Sequence, residues 1–120
     1  MADNRAGREP ARDPQALERL LVARQRAGDV EGMVALYEPD ATLDSGDGQP
    51  KLGREAIRSF FQALVATGRK FELGTQRPAV VSGDLALTAT HLVDGGMTAE
   101  VARRQSDGTW LWAIDKFSNS

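Results

Sequence analysis

AGDVEGMVALYEPDATLDSGDGQPKLGREAIRSFF, residues 27–61, holds most of the information about architecture in this chain. Gly28 punctuates, and Asp29 follows at once as a preferred helix N-cap. Val30, Met33, Val34 and Tyr37 then fall on one face of a short helix, which Pro39 should end. Ala41 to Asp44 reads as a short strand, and Ser45-Gly46-Asp47-Gly48-Gln49-Pro50 as a loop. After Gly53, the residues Ile57, Phe60, Phe61, Leu64 and Val65 make the apolar stripe of a longer helix that Gly68 stops.

Upstream, Asp13-Pro14 is a helix start, because a proline at the first helical position lacks only an N–H that has no partner there. Leu17, Leu20, Leu21 and Arg24 continue that helix at i, i+3, i+4 and i+7. Residues 1–12 are charged and poor in apolar side chains, so they read as a disordered leader before a single domain over 13–120. Downstream the period changes to that of strands over 70–81, 84–94, 97–106 and 109–117. Ser82-Gly83-Asp84, Asp94-Gly95-Gly96 and Ser106-Asp107-Gly108 separate them with the chemistry of tight hairpins. Three helices followed by an antiparallel meander give an α+β fold, helices on one face of the sheet. No internal repeat or low-complexity run interrupts it.

Composition narrows the function classes. The 120 residues are 41% hydrophobic, enough for a core without staples. There is no cysteine, which excludes a disulfide framework, a thiolate nucleophile and a cysteine-based zinc site, and which fits a reducing cytoplasm. A net charge of -2 leaves no electrostatic footprint for nucleic acid. No apolar run is long enough for a membrane helix, and the N-terminus lacks the apolar core of a secretory signal. The expectation is a cytoplasmic domain with no nucleic-acid or membrane partner.

The residue pattern resembles the NTF2-like superfamily, especially its SnoaL-like and steroid-isomerase-like branches. The resemblance rests on Gly28-Asp29 between two helices, Ala35-Leu36-Tyr37, Asp40-Ala41-Thr42 and Gly53-Arg54-Glu55-Ala56-Ile57, and on Ala102-Arg103-Arg104 through Asp107-Gly108-Thr109-Trp110 to Asp115. It covers roughly residues 13–118. It implies a cystatin-like cone, three N-terminal helices packed on a curved, mainly antiparallel sheet, enclosing a pocket for a small apolar molecule. It also implies a homodimer through the outer sheet face. It does not fix the chemistry, because this fold hosts isomerases, cyclases, hydrolases, dehydratases and binders. Steroid-isomerase chemistry needs a carboxylate base and an oxyanion hole made of a tyrosine and a protonated aspartate. By local alignment those places hold Ser45, Leu21 and Val101 or Ala102, with Asp44 one residue from the base position. An epoxide-hydrolase group of Asp–Arg–Asp has Arg103 or Arg104 and Asp115 to draw on, but no evident second aspartate.

Six residues are candidates for a site. Asp115 shares strand parity with Leu111, Ala113 and Phe117; an acid among apolar neighbours has a raised pKa or a basic partner such as Arg103. His91, the one histidine, alternates with Leu85, Leu87, Ala89 and Val93, so it reads as buried, either a pocket acid/base or a hydrogen-bonded core residue. Arg103 shares parity with Met97, Ala99 and Val101, whereas Thr98, Glu100 and Ala102 look solvent-facing. Its ordinary role is a cross-strand ion pair with Asp115 or Glu100; its functional role is holding an anionic or carbonyl group. Arg24 has the same choice between pocket and helix terminus. Trp112 and Phe60 are aromatic packing residues that can also line a pocket, as are Trp110, Phe61 and Tyr37. A lone histidine without matched carboxylates makes no metal site. The expectation is therefore a cofactor-free isomerase, cyclase or dehydratase moving a proton with Asp115 or His91, while Arg103 or Arg24 stabilises negative charge. Its alternatives are a non-catalytic binder of a hydrophobic metabolite or an accessory dimer in a biosynthetic pathway.

Overall fold

A computed structural model describes residues 7–118. Helix α1 (Ala16–Arg26) starts two residues later than Asp13-Pro14 implies, with Gln15 at its N-cap, after a turn in which the Asp13 carboxylate accepts from the Ala16 N–H at 2.9 Å. It ends in a Schellman-like turn, with the Gly28 N–H on the Gln25 carbonyl at 3.0 Å and the Asp29 N–H on the Arg24 carbonyl at 2.8 Å. Gly28 makes that turn at φ +72°, a conformation other residues rarely adopt. Asp29 then caps helix α2 (Val30–Val34), accepting from the Gly32 N–H at 3.0 Å.

Helix α2 is shorter than its apolar spacing implies. Tyr37 does not extend it but opens strand β1 (Tyr37–Asp44), which contains Pro39. The proline is tolerated because β1 loses its regular pairing with the last strand between Tyr37 and Thr42. A short β2 (Lys51–Leu52) pairs with β1, and helix α3 (Gly53–Ala66) follows as the sequence indicates. The stretch 70–81, strand-like throughout in composition, is not one strand. It yields only β3 (Thr75–Gln76) and β4 (Val80–Ser82), since Pro78 between them has no N–H to donate. Strands β5 (Leu85–His91), β6 (Met97–Arg104) and β7 (Trp110–Ser118) form the expected meander.

The sheet runs β2-β1-β7-β6-β5-β3, with β4 also on β5. Every pairing is antiparallel except β1 with β7. The helices cover its inner face, and a core of Leu17, Leu21, Met33, Leu43, Ile57 and Phe61 lies between the layers. The expected leader falls partly outside the described residues, at 1–6. From residue 7 onward the chain lies on the domain. Ala11 is buried and its carbonyl accepts from the Trp110 N–H at 2.9 Å, and Arg8 pairs with Asp29 at 2.8 Å. Among the described residues no helix is long and apolar enough to cross a membrane.

Candidate functional site

The two faces of the meander have the opposite polarity from the usual one. Leu85, Leu87, Met97 and Ile114 point outward and are exposed, Leu87 by 52% and Ile114 by 51%. Ala86, Thr88, Thr90, Thr98, Glu100 and Ala102 point inward and are buried. The alternation along the strands is the expected one, but the two faces are exchanged. A concave face crowded by helices selects small side chains, and the convex face keeps the large apolar ones.

Cross-strand register arranges the inner face in rows. Thr88 lies opposite Glu100, Glu100 opposite Asp115, and Asp115 beside Leu43 on β1. The next row runs Thr90, Thr98, Phe117. Strand β7 presents both Trp112 and Asp115 inward, three residues apart, because the pairing with β6 slips: Val101 faces Ile114 while Ala102 faces Trp112. The slip takes Ala113 out of the alternation and re-phases the strand. Without it, Asp115 would share the face of neither tryptophan.

Three acids and a phenol meet inside. Asp115 is 1% exposed, Glu100 2%, and Glu18 of α1 7%. The Tyr37 hydroxyl donates to Asp115 Oδ2 at 2.5 Å, and the Thr88 hydroxyl donates to Glu100 Oε1 at 2.6 Å. Asp115 Oδ1, Glu100 Oε2, Thr90 Oγ1, Thr98 Oγ1 and Trp112 Nε1 are buried with no hydrogen-bond partner. Tyr37 is held at both ends. Its ring packs on Phe61 and Trp112, with centroids 5.9 and 5.1 Å away. Its carbonyl, left free by the β1 irregularity, accepts from Arg54 Nε at 2.8 Å and Nη2 at 2.5 Å.

Electrostatics follow from that burial. Loss of water pushes the Glu18 carboxyl up to about 8, and the neighbouring Glu100 adds to it. Burial also raises Glu100, against the pull of the Thr88 and Thr98 hydroxyls. Asp115 is raised well above the ordinary carboxylate range by burial first and by Glu100 second, with the Tyr37 bond opposing. Tyr37 is itself raised by burial and by Asp115. Two carboxylates opposite each other in a dry interior resist double ionisation, so Glu100 and Asp115 titrate as a linked pair above the ordinary carboxylate range. Such a cluster can hold and move protons and can donate hydrogen bonds as neutral acid. No group of three or more histidines, aspartates and glutamates among the described residues is placed to hold a metal ion.

The expected site residues separate accordingly. Asp115 lies in the cluster, and Trp112 lines it with a free indole N–H. Phe60 is half-buried at the edge of the inner face, 5.4 Å from Phe61 and 6.4 Å from Phe117, with Lys51 Nζ 5.3 Å above its ring. His91 is exposed, contrary to the burial expected of it, because its row of apolar neighbours is the outer face. Arg103 is exposed on that same face and pairs with Glu38 at 3.1 Å, not with Asp115 or Glu100. Arg24 is buried, but its guanidinium donates to the Gly32 carbonyl at 2.8 Å and the Glu9 carbonyl at 2.5 Å, tying α1 to α2 and the N-terminal segment. Arg104 pairs with Asp84 at 2.6 Å in an open recess of about 510 Å³ beside the β6–β7 hairpin, away from the acids. An Asp–Arg–Asp group is thus not assembled.

Sequence reasoning misses Glu18, Glu100 and the Tyr37 hydroxyl. Alternating small side chains at Ala86, Thr88 and Thr90 and at Thr98, Glu100 and Ala102 carry the signal for the inner face.

Comparison with known proteins agrees with this architecture. A ketosteroid isomerase-like protein from Erwinia carotovora atroseptica superposes with a TM-score of 0.71 at 15% identity, covering 88% of this chain and 93% of that one. A domain of unknown function with a cystatin-like fold from Nostoc punctiforme gives 0.72 at 18%, covering 88% and 74%. An NTF2-like protein with a cystatin-like fold from Novosphingobium aromaticivorans gives 0.67 at 21%, covering 85% and 76%. At these identities the likeness establishes the fold. The family follows from the sequence itself: residues 17–117 match the SnoaL-like domain model, and the chain belongs to the SnoaL-like domain family.

Proposed function

We propose that this protein is a cytoplasmic, cofactor-free enzyme that moves a proton on a small apolar carbonyl substrate held inside the cone. The observation that carries the reading is Asp115: buried, fixed through Oδ2 by Tyr37 at 2.5 Å, and with Oδ1 unpartnered. In its ionised form Asp115 takes a proton from the carbon next to the carbonyl. The C–H electron pair becomes the double bond of an enolate, and its charge gathers on oxygen. Neutral Glu100 and the Trp112 indole N–H then serve as donors to that oxygen. Returning the proton to a different carbon isomerises the substrate. Arginine stabilisation has no part in this scheme, since Arg24 and Arg103 are engaged elsewhere.

Proton exchange tests this on simple ketones, whatever the natural substrate. Cyclohexanone and tetralone are incubated with the protein in deuterium oxide, and loss of the α-proton signals is followed by NMR. Exchange above the buffer rate is expected, lost in Asp115→Asn and unchanged in His91→Ala. Exchange that persists in Asp115→Asn removes Asp115 from the reaction. Ketones that bind but do not exchange support the non-catalytic binder instead.

The exposed apolar outer face supports a homodimer, as an unpartnered face of Leu85, Leu87, Met97 and Ile114 is costly in water.

A further inference from the structure

Among the described residues, three acids meet in the interior and no cation faces them. Among the described residues, Arg24 and Arg54 are spent on backbone carbonyls, Arg103 on Glu38 and Lys51 on Asp47. No cation offsets Glu18, Glu100 or Asp115. An uncompensated acid cluster is expensive in a packed core, where an aliphatic residue of similar size would be cheaper. Its complement is a positive charge brought in from outside.

The unpartnered atoms give that charge a shape. Glu100 and Asp115 face each other across the β6–β7 ladder, and each keeps one buried oxygen, Oε2 and Oδ1, without a hydrogen-bond partner. Thr90 Oγ1, buried and without a partner, opens from the adjacent row of the same face. With Thr98 Oγ1 in the same row, these acceptors are enough for the N–H bonds of an ammonium. The rings of Tyr37, Trp112 and Phe61 stand alongside, able to hold an apolar body and to favour a nearby cation.

We infer that the interior selects ligands carrying a protonated amine on an apolar frame, with the ammonium seated between Asp115 Oδ1 and Glu100 Oε2. This rests on the reading of the interior as a ligand site and names a class of ligand for it, an amine on an apolar frame that would compete with a ketone for Asp115; it requires no reaction. An anionic ligand would meet like charge. A neutral one would leave the acids uncompensated. Because the empty cluster holds protons, seating a cation ionises one acid and expels a proton into solvent.

Calorimetric titration with benzylamine, benzyl alcohol and benzoate, and with naphthylmethylamine, naphthylmethanol and naphthoate, reads the preference directly. Within at least one frame the amine is expected to bind at least about tenfold more tightly than the alcohol, with the carboxylate weakest. Repeating the amine titration at neutral pH in two buffers of different ionisation enthalpy should show about one proton released per amine bound. Glu100→Gln should cost the amine about tenfold or more, and far more than it costs the alcohol. If that variant does not fold, amine selectivity and proton release in the unaltered protein decide alone. Equal or tighter binding of the alcohol, preference for the carboxylate, amine binding without proton release, or no binding of any probe overturns the inference. Ketone exchange without amine preference refutes this inference alone; amine preference without ketone exchange refutes the proposed reaction alone.

Discussion

Replacing Glu18 by glutamine should stabilise the protein, and the gain should grow with pH. Glutamine has the shape of a protonated glutamate and does not titrate. In the folded chain burial holds the Glu18 carboxyl at about 8, against an ordinary 4.5. The unfolded chain therefore releases this proton first. Between those two values each unit rise in pH costs the folded state about 1.4 kcal/mol. Below 4.5 both states are protonated and Glu18 contributes no pH dependence. Above about 8 both are ionised and the accumulated cost levels off near 5 kcal/mol. Urea unfolding reads this well, because Trp110 and Trp112 are both buried and their fluorescence reports exposure. Measured near pH 4, 6 and 8, Glu18→Gln should differ little from the unaltered protein at the acid end. It should then lead by a margin widening at about 1.4 kcal/mol per pH unit. Parallel stability curves for the two proteins would refute the reasoning, since Glu18 would then ionise as readily folded as unfolded.

Tyr37→Phe removes the donor to Asp115 Oδ2 and strands a buried oxygen, at a cost of about 1–3 kcal/mol in urea unfolding. That loss should grow as pH rises through the raised titration of Asp115, because the Tyr37 bond favours ionised Asp115. Arg54→Ala frees the Tyr37 carbonyl of both its guanidinium donors and should cost about 1.5–3 kcal/mol, while Arg54→Lys recovers part of it. Leu87→Asp on the outer face should turn a dimer into a monomer in sedimentation velocity; an unaltered protein that already sediments as a monomer contradicts the proposed dimer.

The fold is legible in the sequence because its signals are local. Asp29 caps the helix it precedes, Asp13 holds the turn that leads into α1, and the Gly-bearing separators before β5, β6 and β7 mark the meander. Where sequence and structure part, non-local pairing decides. Tyr37 sits on a helical stripe by spacing, yet joins β1 because the parallel partner β7 takes up the chain there. Asp115 stands out by its apolar neighbours. Its face depends on the slip at Ala113, which alternation alone does not reveal. His91 and Arg103 belong inside only if apolar neighbours mean burial. That equation fails for a bent sheet whose convex face carries Leu85, Leu87 and Ile114. Glu18 is invisible for a related reason: a charge beside Leu17 reads as solvent-facing until the width of the buried arc of α1 is known.

The most direct test of the acid cluster is a carbon-13 NMR titration of the side-chain carboxyls, assigned by Glu18→Gln, Glu100→Gln and Asp115→Asn. Glu18 should titrate near 8. Glu100 and Asp115 should also titrate above the surface carboxylates, as a linked pair whose members respond to each other's substitution. All three carboxyls titrating independently near 4, the ordinary range for aspartate and glutamate, would contradict the cluster and the site built on it.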